Sequence, residues 1–168
     1  MEKIYSEKIR KILNNKDRLE KELKVKITNR GRELFIDSSG EKEYFAGKVI
    51  EALNFGFRFE VAILLKNEDF DFEILNIKDY TRRKDLERIR ARIIGRGGKT
   101  LKVLHDLTDC FFETDENKVG VIGYPENLKK AEEAIQAIVR GSKQSNVYSF
   151  LEKKKVKPVV DLGLKEGN

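Results

Sequence analysis

Ile93-Ile94-Gly95-Arg96-Gly97-Gly98-Lys99-Thr100 joins two amphipathic patterns through a turn that is three-quarters glycine. Before it, Leu86, Ile89 and Ile93 recur at i, i+3 and i+7, which reads as a basic helix over residues 82–94. After it, Leu101, Leu104 and Leu107 line one side of a second helix over residues 99–107. Three glycines in four positions remove nearly every Cβ from one surface of the chain, so a foreign backbone can approach closely. An ordinary helix–helix turn needs one glycine; three read as more than a turn requires. The N-terminus of the following helix offers N–H groups to an anion, and Arg96 and Lys99 add charge at the same spot.

Charge around this turn is of one sign. Residues 1–79 carry 16 basic and 16 acidic side chains, whereas residues 80–168 carry 19 and 13, so the whole net charge of +6 lies in the second half. Within residues 82–102 there are nine basic and two acidic residues. A solvated helical face is the usual fate of charge, but ordinary surfaces mix signs, and a one-sign stretch attracts polyanions. Nucleic acid is therefore the leading partner class. A membrane surface is not favoured, because no amphipathic basic helix with exposed aromatics accompanies the charge.

Gly98-Lys99-Thr100 imitates the end of a nucleotide-binding P-loop. That motif requires glycine where Ile93 stands and a strand before the loop, and neither is met. The remaining reading is a GxxG turn that grips single-stranded nucleic acid by its backbone, as KH modules clamp about four nucleotides. The bases would lie in a groove between the two helices and the strand that carries Cys110 and Phe112. Ile93, Ile94, Leu101 and Phe112 are the apolar candidates for its floor, and Arg90 and Arg92 are candidates for steering phosphates. Each has a competing role as core or as solvated charge.

The rest of the chain is consistent with a non-enzymatic protein of one domain or two small ones. Its 168 residues are 39% apolar and 38% charged, enough for a core under a charged shell. The single Cys110 excludes an internal disulfide framework and a multi-cysteine zinc site. With one histidine and one cysteine, neither a His-based triad nor a His/Cys metal cluster is expected, and Asp106, Asp109 and Glu113 form a metal site only if they converge, which their spacing does not force. No catalytic set, metal or cofactor is expected. With no run of 18 apolar residues and no apolar leader after Met1, the expected location is the cytoplasm.

The second half reads strand–helix–helix–strand–strand–helix, and the first half gives helix–helix–strand–strand–helix, with Lys3 to Tyr5 as a candidate short strand in front. Laying Leu19 on Leu104 also puts Ile9 on Ile94, Val25 on Cys110 and Ile27 on Phe112, a constant offset of 85 that a duplicated unit would show. By that offset the first unit's turn falls at Arg10-Lys11-Ile12-Leu13, where there is no glycine. Pro125 opens the last predicted helix and Gly141 closes it, and the chain from Ser142 reads as a polar tail.

This element order, with the turn as quoted, resembles a type I KH domain. The wider pattern Arg90-Ala91-Arg92-Ile93-Ile94-Gly95-Arg96-Gly97-Gly98-Lys99-Thr100 resembles the second KH unit of the archaeal double-KH ribosome-assembly proteins. So does Arg140-Gly141-Ser142-Lys143-Gln144-Ser145-Asn146-Val147-Tyr148-Ser149-Phe150-Leu151-Glu152. These proteins are counterparts of the eukaryotic assembly factor called partner of Nob. The resemblance implies an α/β (α+β) fold of two tandem KH-like units, each with helices on one face of a small three-stranded sheet, the first degenerate. The expected division is a degenerate unit with a trailing helix at 1–66, an RNA-binding KH domain at 71–152 and a mobile basic tail at 153–168. It further implies binding of small-subunit rRNA near its 3′ end, beside the endonuclease that matures that end. A link to the alpha subunit of translation initiation factor two is implied as well. Carried over by position, the RNA-contacting turn is Gly95, Arg96, Gly97 and Gly98, flanked by Lys99 and Thr100; with Arg92, Ile93, Ile94 and Phe112 from the groove, these are the expected RNA-binding residues. The reading from another class is a protein-interaction adaptor with little RNA affinity of its own.

Overall fold

A computed structural model describes residues 1–155, so residues 156–168, most of the expected tail, lie outside the described part. The chain opens with strand β1 (Glu2–Tyr5), helices α1 (Ile9–Asn14) and α2 (Lys16–Leu23), strands β2 (Lys26–Arg30) and β3 (Glu33–Asp37), and helix α3 (Gly40–Phe55). A short helix α4 (Phe59–Ala62) and the 3-10 turn Ile63–Lys66 follow. The plan then repeats as β4 (Asp71–Asn76), α5 (Leu86–Ile94), α6 (Lys99–Thr108), β5 (Phe111–Asp115), β6 (Lys118–Gly123) and α7 (Pro125–Val139), with a final helix α8 (Gln144–Lys154). Both sheets are antiparallel and have the same order, β1-β3-β2 and β4-β6-β5. In each the third strand sits in the middle.

The repeat keeps its register from the end of the second helix onward. Lys24 and Asp109 end α2 and α6 in the left-handed conformation, both at φ 56°. Gly31 and Glu116, at φ 62° and 53°, turn the two hairpins, and Gly40 and Pro125 open α3 and α7. Each pair is 85 residues apart. The offset fails upstream, because α1 ends at Asn14 and α5 at Ile94, 80 residues apart. Residues 10–13 are therefore helix, and the first unit's corner is Asn15 alone. The first unit is five residues shorter there: its corner has one residue against four, and α2 has eight against the ten of α6.

Helix α5 starts at Leu86 rather than at residue 82; Arg82, Arg83 and Lys84 precede it as irregular chain. Apolar spacing begins only at Leu86. The Arg83 guanidinium pairs with Asp85 at 2.6 Å, the residue at the helix entrance.

Two apolar cores meet across the second sheet. Val119 and Val121 of β6 enter the core beneath α5, α6 and α7. On the opposite face, Phe72, Ile122 and Phe111 form one cross-strand row that joins the core of the first unit. Both faces of this sheet are covered, which is why residues 119–123 are buried without alternation. Gly120, in the next row, lets Phe55 and Phe57 lie on the strand: a Cβ there would stand 2.8 Å from Phe55 and 3.0 Å from Phe57.

The segment after Gly141 forms helix α8, where a polar tail was expected. Val147 and Leu151, one turn apart, are buried against the second core, and the boundary expected at residue 152 falls inside the helix. Lys153 and Lys154 belong to its last turn, where cations suit the helix dipole. Leu151→Ala should cost about 2–4 kcal/mol of unfolding free energy, measured by chemical denaturation, as expected for a truncated core leucine.

Candidate nucleic-acid interface

Helix α5 buries Ile89 and Ile93 completely and leaves Arg88 exposed. It stops at Gly95, whose φ of 79° and ψ of 168° are essentially closed to any side chain. Gly95 N–H still donates to the Ala91 carbonyl at 2.8 Å, and the Gly95 carbonyl accepts from Gly98 N–H at 3.1 Å. A Cβ on Gly95 would stand 2.6 Å from the Thr100 nitrogen. Gly97 and Gly98 follow at φ 62° and 78°, so all three glycines serve the turn itself. Three are thus not in excess of what this turn requires. What distinguishes the turn is its outer face: around the missing Cβ of Gly97 and of Gly98 there is nothing within 4 Å. The bare surface inferred from the sequence is present and open.

Gly98 also occupies the entrance of α6 and has no side chain to cap it. Arg96, Lys99 and Lys102 are exposed and have no ion-pair or hydrogen-bond partner among the described residues. A positive helix end, two bare glycines and three unpaired cations therefore share one spot.

The structure divides the remaining candidates. Ile94, Leu101 and Phe112 are half-buried beside the turn and along α6 and β5, so each keeps some surface. Ile93 is fully buried and is withdrawn from the contact set as a core residue. Thr100 is 5% exposed and packs behind Gly95, so its side chain cannot reach a ligand in front of the turn. Arg92 is also reassigned. Its Nη1 donates to the Ile138 carbonyl at 2.7 Å and its Nη2 to the Ser142 carbonyl at 2.5 Å. Gln144 returns a bond from Nε2 to the Arg92 carbonyl at 3.3 Å. Arg92 ties the end of α5 to the corner between α7 and α8, where its charge faces the carbonyls at the end of α7. Arg90 donates to the Glu116 carbonyl at 3.1 Å.

Asp106, Asp109 and Glu113 do not converge, and among the described residues no group of three or more His, Cys, Asp or Glu could hold a metal ion. Cys110 is fully buried, and burial pushes its thiol up to about 11, so it stays protonated and inert. Sequence reading named neither Lys102 nor His105 as a contact; they lie one and two turns beyond the loop on α6. Their signal was the i, i+3 spacing of Lys99, Lys102 and His105.

The comparisons bear on the same residues. The second KH domain of PNO1, described as a eukaryotic type KH-domain (KH-domain type I), matches residues 71–156. KH domain-containing protein MJ0443 of Methanocaldococcus jannaschii is 29% identical over 151 residues, which are 86% of this chain and 66% of that one. Pre-rRNA-processing protein pno1 of Schizosaccharomyces pombe is 30% identical over 105 residues, 61% of this chain and 44% of that protein. The chain thus spans less than two thirds of the length of the curated relatives it matches. Among solved structures, Dim2p of Pyrococcus horikoshii superposes with a TM-score of 0.82 at 30% identity, covering 90% of this chain and 98% of that one. The a/eIF2alpha-aDim2p-rRNA complex from the same organism gives 0.82 and 30%, covering 91% and 92%. The matched stretch starts with β4, contains the whole glycine turn and runs through α8, and by it the chain belongs to the PNO1-type family of type I KH domains.

Proposed function

We propose that this chain grips single-stranded small-subunit rRNA through residues 95–98 and serves small-subunit assembly and 3′-end rRNA maturation without catalysing a step itself. The observation that carries this reading is the open face of Gly97 and Gly98 amid Arg96, Lys99 and Lys102, which are unpaired among the described residues. A phosphate can lie against bare main chain there, with the entrance of α6 beneath it. The bases then pass along Ile94, Leu101 and Phe112. Relatives named RNA-binding protein and pre-rRNA-processing protein support the substrate class. The rRNA complex of the Pyrococcus protein supports it further, and its a/eIF2alpha component supports the initiation-factor alpha subunit as a partner. The 3′-end endonuclease is proposed as a second partner, and the cytoplasm as the place of action.

In this reading residues 71–152 form the RNA-binding unit. Residues 1–66, whose corner lacks the turn, have no backbone grip of their own. Binding of an eight-nucleotide single-stranded RNA over a salt series tests it. Log K should fall against log salt with a slope of about −0.7 for each phosphate neutralised, and two to four phosphates are expected. A protein acting only as an adaptor would show weak affinity at every salt concentration.

A further inference from the structure

The second unit's groove does not end at its own residues. Where α6 passes edge strand β5, the first unit closes over it and leaves a cleft of about 320 Å³. Phe57, Arg58 and Val61 form the wall from the first unit; Leu101, Lys102 and His105 form the opposite wall from α6, and β5 supplies the floor. Leu101 and Phe112 line this cleft, and in the RNA-binding reading above they also carry the bases beside the glycine turn. On that reading the cleft and the groove are continuous, with Lys99 and Lys102 one helical turn apart along the way.

The chemistry of the cleft suits one flat, apolar group carrying a phosphate. Phe111 and Phe112 are half-buried, and the His105 ring leans on Phe111 with centroids 4.9 Å apart. His105 Nδ1 lies 2.8 Å from the Cys110 carbonyl, which can only accept. Nδ1 therefore carries a hydrogen, and Nε2 is the acceptor of the neutral ring. Arg58 and Lys102 are exposed on the two walls, and neither has a partner among the described residues. The acid nearest Arg58 in sequence, Glu60, is engaged by Arg18 at 3.6 Å. Glu113 is the one carboxylate in the lining, and its Oε1 accepts from Thr114 N–H at 3.2 Å.

We infer that the inter-unit cleft is a second nucleotide subsite, in which Arg58 of the first unit binds a phosphate of the RNA strand leaving the glycine turn. The inference rests on the RNA-binding reading above. It makes the degenerate unit a wall of the groove, so that the footprint exceeds the nucleotides held at the turn.

Arg58→Glu tests it, since the side chain is exposed and unpaired and the fold should survive, as thermal melting can verify. The probes are four- and eight-nucleotide single-stranded RNAs in fluorescence anisotropy, with Lys26→Glu as a matched reversal of a residue that does not line the cleft. For the eight-mer, Arg58→Glu is expected to weaken binding about tenfold, the loss of one charge-assisted contact. It should also make the salt slope shallower by about 0.7, one phosphate fewer. The four-mer should change less than threefold, about what general charge repulsion would add. Unchanged eight-mer affinity, or equal losses from Arg58→Glu and Lys26→Glu, would overturn the subsite while leaving the turn intact. Failure of the unaltered protein to bind either RNA would instead overturn the RNA-binding reading itself.

Discussion

Changing Arg96 and Gly97 together to Asp is expected to abolish RNA binding, with at least a hundredfold loss of affinity, while the protein stays folded. The two effects act at different ranges. Two carboxylates replace one guanidinium and one bare site, so a phosphate arriving at the turn meets repulsion instead of attraction. The new side chain at residue 97 also occupies space that is open to 4 Å around the missing Cβ, which holds the RNA backbone off the main chain. The fold tolerates the change for the same reason: nothing there is displaced. Asp is among the few side chains that enter the left-handed region, and Gly97 sits at φ 62°. Stability should fall by no more than about 1 kcal/mol. Anisotropy with the eight-mer and a denaturation curve on the same sample check both halves. Retained affinity would remove the turn from the RNA site.

The second large effect is on stability. Gly120→Val should destabilise the protein by about 3 kcal/mol, although valine is a better strand former than glycine. Residue 120 lies on the central strand β6, with Ile74 and Glu113 on either side. The obstacle is the first unit, whose Phe55 and Phe57 rings rest on this point. Those rings are held in turn by Phe72, at centroid distances of 6.0 and 5.7 Å, and cannot swing away freely. Overpacking a filled core forces strain into rotamers and backbone. Phe57→Leu in the same chain should recover part of the loss, because it makes room where valine intrudes. A double-mutant cycle by urea denaturation measures that coupling, expected at about 1 kcal/mol. Strictly additive losses would mean that Gly120 does not set the distance between the units.

The element order was readable because apolar spacing switches cleanly between the helical period and alternation, and because glycine and proline mark the ends. The turn at 95–98 was readable for its composition. Helix α8 was not, since only Val147 and Leu151 of its residues are buried and a two-residue stripe is too short to reveal a period. The role of Arg92 was hidden by its position, whereas Ile93 already stood in the apolar stripe with Leu86 and Ile89. On a helix preceding a basic loop, a cation that faces solvent and one that reaches a carbonyl 46 residues away have the same local sequence. The first unit's corner was placed five residues too early because the offset, sound downstream, was carried across a stretch that is shorter in the first unit. The cleft at Arg58 involves residues over 40 positions apart, and no pattern within either unit announces it.

That five-residue difference separates capability from architecture. Sheet order, hairpin geometry and helix ends are common to both copies, yet only one has a corner of open glycines. The glycine turn is therefore a small cassette carried by a scaffold that stands without it. A protein built from two such copies can lose the cassette from one, keep its shape, and turn that copy into a partner for the other.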